Sequence, residues 1–110
     1  MPSFTETLAS LPSIEHLAAI GIYRDGNQID SIPNQDGKRG SLTVYHALYQ
    51  RFAGQLDANA AAAGLALFCE HTEDARRNPG KHPNIDRLLQ VIAENSPLQL
   101  HPISREGDHS

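Results

Sequence analysis

The chain is expected to fold as an α+β domain: a small antiparallel sheet of three strands, a hairpin plus a C-terminal strand, with three to four helices on one face. Three observations lead there. A short alternating stretch turns at Asp25-Gly26 and returns over Gln28–Ile32. Three longer stretches then repeat apolar residues at helical steps of three and four. Last, Leu98-Gln99-Leu100-His101 alternates again and is too short for a helix.

In chain order, Ser3-Phe4-Thr5-Glu6 fits a capping box, and Phe4, Leu8 and Leu11 share a helical face, so a helix runs to about Ser10 before Pro12. Leu17–Tyr23 and Gln28–Ile32 form the hairpin, and Asp25-Gly26 tolerates the positive φ of a tight turn. Pro33 closes the second strand for want of an N–H. Residues 34–40 contain no apolar side chain and read as a loop. Ser41 is expected to cap a helix whose face carries Leu42, Tyr45, Leu48, Tyr49 and Phe52, ending at Gly54. Asp57 caps another, continuous to about residue 76, with Ala61, Gly64, Leu65, Phe68, Thr72 and Ala75 inward. The small residues at 61 and 64 imply a closely approaching neighbour. Asn78-Pro79-Gly80 interrupts it. Pro83 opens a third long helix with Ile85, Leu88, Leu89 and Ile92 inward, and Asn95-Ser96-Pro97 ends it.

Composition narrows the function. Leu, Ile, Val and Phe fill 25 of 110 positions, enough for a chain carrying a formal charge of -4 to collapse. Residues 1–103 are read as one domain and 104–110 as a polar, flexible tail. No apolar run approaches a membrane span, and no basic n-region with an apolar stretch marks a secretory signal. A single cysteine, Cys69, permits no internal disulfide and suits a reducing cytoplasm. The acidic balance argues against a nucleic-acid partner, and Glu70, Glu73 and Asp74 on one helix would repel phosphates. No cofactor is expected.

Two stretches, Gly37-Lys38-Arg39-Gly40-Ser41-Leu42-Thr43-Val44-Tyr45 and His71-Thr72-Glu73-Asp74-Ala75-Arg76-Arg77-Asn78-Pro79-Gly80-Lys81-His82-Pro83-Asn84-Ile85-Asp86-Arg87-Leu88, resemble a family of short, single-domain bacterial proteins without an assigned activity. The resemblance spans Phe4 to Ile103. It implies a small, stand-alone, cytoplasmic bacterial protein and carries over no catalytic or binding residue.

Candidate sites follow from residue chemistry. Gly37-Lys38-Arg39-Gly40 and Gly80-Lys81-His82-Pro83 each set glycine and basic residues just before a helix start, where free N–H groups and the helix dipole attract anions. If the two starts converge, Lys38, Arg39, Lys81 and His82 can hold a phosphate or carboxylate, the glycines allowing close backbone approach. Neither stretch has Walker spacing, and the plainer alternative is two solvated loops.

Cys69, Glu70, His71, Glu73 and Asp74 crowd one helix. Cys69 and His71 stand about 200° apart there, and even with His46 or His82 no zinc spacing appears, so no metal ligand is assigned. That helix end reads instead as solvated, with an ion pair such as Glu73–Arg77. His46 and His71 flank two apolar stripes. They are ordinary boundary residues unless they pair across a groove as a general base. No nucleophile follows, since Ser41 serves as a cap and Cys69 as a packed thiol, so no catalytic residue is assigned and enzymatic activity is not expected. Tyr45 and Tyr49 read as core, whereas Tyr23, on the strand face opposite Ile20 and Ile22, is the candidate interface residue of a homodimer or other protein contact. The leading expectation is therefore a protein-interaction or regulatory module. The alternative is a ligand-binding protein or enzyme acting on a small anion at the Gly-Lys loops.

Overall fold

In the computed structural model, which describes residues 3–105, β1 (Leu17–Arg24) and β2 (Asn27–Pro33) meet at a two-residue turn. Asp25 and Gly26 both adopt positive φ, 52° and 83°, matching the right-handed twist of the flanking strands. Ile20 stands opposite Ile32 and Ile22 opposite Asp30, after which an irregularity in the register leaves Ile29 half exposed. The Asn34 amide donates to the carbonyls of Ile14 and Leu17, binding the chain entering β1 to the chain leaving β2.

On the other side of β1 lies β4 (Leu98–Ser104), antiparallel, with Ile22 opposite Leu100. The expected pairing of the hairpin with the C-terminal strand is thus present. Among the described residues the sheet nevertheless has four strands rather than three. Gln55–Leu56 forms a short β3 on the outer edge of β4, giving the order β2-β1-β4-β3. Two residues between Gly54 and Asp57 show no alternation; the Leu100 N–H, donated to the Gly54 carbonyl at 2.8 Å, fixes them there. Pro102 falls beyond the part of β4 that β3 covers, so its missing N–H breaks no ladder. The strand also continues past Ile103: Ser104 pairs with Leu17, and the Arg105 N–H donates to the His16 carbonyl. Of the tail expected over 104–110, Ser104 thus belongs to β4, and residues 106–110 lie outside the described ones.

Among the described residues there are five helices, not three to four. α1 (Phe4–Ser10) has the expected reciprocal capping box between Ser3 and Glu6. α2 (Arg39–Phe52) begins three residues earlier than expected, with Lys38 rather than Ser41 at the cap position and no side-chain cap. Arg39 is drawn into the helix because its guanidinium reaches back to Asp36 and Asn34. At the far end Ala53 and Gly54 are both left-handed. α3 (Ala58–Leu67) is capped by Asp57 as expected.

The helix expected to continue to residue 76 breaks at Phe68–Cys69, and α4 (Glu70–Arg77) restarts it. The buried Thr72 hydroxyl donates to the Leu65 carbonyl at 2.6 Å, occupying the acceptor that the amide of residue 69 would take in an unbroken helix. Both segments keep the predicted inward residues buried. α5 (Pro83–Glu94) buries Ile85, Leu88 and Val91, while Ile92 is 40% exposed. The stripe turns toward Val91 because α5 packs on α3 and α4, whereas α2 lies across the sheet and touches every strand.

One core results, running from Ile20, Ile22, Leu98 and Leu100 on the sheet through Leu42, Tyr45 and Leu48 of α2 to Leu88 of α5. Gly64 marks the tightest approach. A Cβ there would stand 2.8 Å from Leu88 Cδ1 and 2.9 Å from Leu48 Cδ1, so α3 sets the spacing between α2 and α5.

Candidate functional site

That spacing brings together the two glycine–basic segments. Residues 37–41 and 81–85 line the same open cleft, of about 490 Å³, with Phe4, Leu8, Phe68 and His71 completing its walls. All four basic candidates, Lys38, Arg39, Lys81 and His82, are therefore gathered in one place.

Backbone geometry gives the cleft its donors. Neither α2 nor α5 has a side-chain cap. The N–H groups of Arg39, Gly40 and Ser41 precede the first intrahelical bond, which Leu42 makes to the Lys38 carbonyl. Pro83 brings no N–H to the start of α5, and Ile85 bonds back to His82, leaving Asn84 as the donor of that turn.

The glycines act differently from expectation. Gly37 and Gly80 adopt positive φ, 83° and 94°, and serve the turns. A Cβ on Gly40 would lie 3.0 Å from the Phe4 ring, so this glycine admits Phe4 over the start of α2.

Side chains on four elements, α2, α4, α5 and β2, hold the cleft in shape. The Tyr45 hydroxyl, fully buried on α2, donates to the Asn84 carbonyl at 2.6 Å; burial pushes its pKa up to about 12. Arg87 donates to the Tyr45 hydroxyl and to Asn84 Oδ1, and pairs with Asp30 at the edge of β2. This cluster joins the first turn of α5 to α2 and to the sheet. The Gly80 N–H donates to the Asp86 carboxylate, folding the 78–82 turn onto α5. Opposite, the Glu70 carboxylate accepts from the Phe4 N–H at 2.9 Å and tethers α1. Backbone N–H groups, its own first and then that of Phe4, hold the Glu70 carboxyl below its ordinary range.

Charge around the cleft is partly spoken for. Arg39 pairs with Asp36 at 2.6 Å. Asp74 Oδ2 lies 2.7 Å from His82 Nε2 and 3.0 Å from Lys81 Nζ. These two, His82 first, hold the Asp74 carboxyl at about 2. The Asn78 amide also donates to it.

His71 stands edge-on to Phe4, with centroids 4.9 Å apart, and 5.6 Å from the His82 ring. The alternative pairing of His46 with His71 is not formed. His46 lies against His16, ring centroids 5.3 Å apart, and is 3% exposed with Nδ1 lacking a partner. Burial first, and His16 second, push its pKa down.

Phe4, Phe68, His71, Asp74 and Asn84 thus belong to the site although their residue types read as core, helix face or loop. The one signal the sequence offers for them is that His71 and Asp74, three residues apart on a helix, share a face. On α4 the ion pair is Glu73–Arg76 at 3.5 Å, in place of the expected Glu73–Arg77. Among the described residues no three His, Cys, Asp or Glu gather as a metal group. Cys69 is half-buried with Sγ 3.3 Å from the Thr7 hydroxyl. Tyr23 lies on the sheet face away from the helices, its ring edge-on to His101 at 4.6 Å and its hydroxyl bonded to Gln28. Among the described residues no helix is long and apolar enough to cross a membrane.

Comparison with the curated proteins and with the solved structures finds no match. Residues 4–102 match the sequence model of DUF2322, described as an uncharacterized protein conserved in bacteria, and the chain belongs to that family.

Proposed function

We propose that this protein binds a small anionic molecule, a phosphate or a carboxylate, in the cleft between the starts of α2 and α5. The supporting observation is the meeting of two Gly-Lys segments, far apart in sequence, at two helix starts without side-chain caps. Free N–H groups and the dipoles of both helices favour negative charge there, and Lys38 and Lys81 add to it. A thermal melt in phosphate or sulfate tests this reading. Phosphate should raise the Tm of the native chain and have no effect on Lys38→Ala/Lys81→Ala. An equal rise in both proteins would dismiss it.

A second reading is favoured by the outer face of the sheet. Tyr23, His101 and Ile103 share that face, and Ile103 is 44% exposed, which suits contact with a second copy or another protein partner in a regulatory role. Sedimentation over a range of concentrations decides it. A strict monomer at high concentration would exclude the dimer. The unpaired thiol of Cys69 fits a reducing, cytoplasmic setting.

A further inference from the structure

We propose that the outer face of the sheet seats a second copy of this chain, joined face to face about a two-fold axis; this rests on the reading of that face as a protein contact and names its partner. The absence of charge on the face, its flatness and the closed edges of the sheet carry it.

Residues paired across strands share a face, so the register fixes what lies away from the helices. One row runs Pro33, Ala19, Ile103 and the next Ser31, Gly21, His101. A third runs Gln28, Tyr23, Gln99 and is continued by Gln55 of β3. None of these is Asp, Glu, Lys or Arg, types that make up 20% of the chain. Depletion of charge around an aromatic residue is the composition of an interface centre. Tyr23 supplies the aromatic and is already held in place, its ring edge-on to His101 and its hydroxyl donating to Gln28. Gly21 makes room for that ring, since a Cβ there would lie 3.0 Å from Tyr23 Cε1. The ring therefore lies low over the middle row and leaves the face flat.

The same features select the partner. Two chains of formal charge -4 repel each other over most approaches, and least through a face without charge. Gln55 and Gln99 carry amides that both donate and accept, so they can bond to the same residues of a copy, as a two-fold contact requires. A partner of strong opposite charge would find nothing there to complement. Pairing edge to edge is closed off. On β2 the Ser31 N–H is taken by the Asp30 carboxylate and Pro33 has none. On β4 the first residues are covered by β3, and Pro102 has no N–H. Strands about 4.8 Å apart and residues about 3.3 Å apart give a face roughly 20 Å on a side. Two copies then bury on the order of 1,000 Å² between them, the size of a reversible rather than an obligate contact.

Sedimentation of the full chain from about 10 µM to about 1 mM tests the proposal. The native chain should pass reversibly from monomer to dimer. His101→Asp sets a charge in the middle row and should weaken the dimer at least about tenfold, about 1.4 kcal/mol, with the far-ultraviolet spectrum unchanged. Ile103→Asp should do the same where His101→Asp does not fold. Ile92→Asp, at a similarly exposed apolar residue on α5, should leave the dimer as it is. Added salt should tighten the dimer by screening the like net charges. A strict monomer at every concentration would overturn the second copy and leave the face open to a different protein. A dimer that survives both outer-face variants, or that only Ile92→Asp breaks, would show that copies meet elsewhere and would overturn the proposal. A dimer weakened by salt would reveal an ion-paired contact and would overturn it too.

Discussion

Replacing Gly64 by alanine should destabilise the protein, although the same change inside a helix ordinarily stabilises it. Alanine gains about 1 kcal/mol over glycine in helix propensity. Here the added methyl would meet Leu88 Cδ1 at 2.8 Å and Leu48 Cδ1 at 2.9 Å. Those leucines are 0% and 1% exposed, so neither methyl has room to swing away. Overfilling a packed core costs about 1–3 kcal/mol. The balance is a net loss of roughly 1 kcal/mol, or a fall in Tm of about 4–8 °C for a domain near this size. Urea and thermal unfolding of Gly64→Ala beside the native protein measure it directly. Because α3 separates α2 from α5, the same substitution should also weaken phosphate binding at their starts. Ala62→Gly, on the exposed side of α3, serves as control: it should lose about 1 kcal/mol with phosphate binding unchanged. A higher Tm for Gly64→Ala would refute the close packing on which the cleft depends.

Three further outcomes are expected. Thr72→Val keeps the shape but leaves the buried Leu65 carbonyl without its donor, and urea titration should show a loss of about 1–2 kcal/mol. Asp74 has its carboxyl lowered from 3.8 to about 2, so its contribution is complete above the ordinary value and disappears as pH falls toward 2. Asp74→Asn should flatten stability against pH across that interval, and an unchanged acid limb would contradict the ion cluster. His46 is lowered from 6.5 by burial and then by His16, so the unfolded chain takes up the proton more readily and stability should decline as pH drops through 6.5. His46→Leu should remove that decline, whereas equal slopes in the two proteins would show that His46 stays hydrated.

Features encoded within a few residues were legible in the sequence. The Asp25-Gly26 turn, the Ser3/Glu6 capping box, the Asp57 cap and the inward stripe of 61, 64, 65, 68, 72 and 75 all depend on local spacing, and the structure has each of them. The departures come from partners distant in the chain. β3 exists because Leu98 and Gln99 offer an edge to Gln55 and Leu56. Val91 displaces Ile92 from the core because α5 packs chiefly on α3 and α4. The early start of α2 depends on Asn34 and Asp36 reaching Arg39. In the cleft, the four basic residues could be named from their place before helix starts. The Phe4 wall could not, since nothing local to Gly40 indicates that the first helix of the chain lies over it.

The most direct test of anion capture by two helix starts is a ¹⁵N amide spectrum of the native chain titrated with inorganic phosphate. Resonances of Arg39, Gly40, Ser41 and Asn84 should shift together and saturate along one curve, with the outer sheet residues Tyr23 and His101 still. Shifts confined to one of the two segments, or following unrelated curves, would contradict a single shared site.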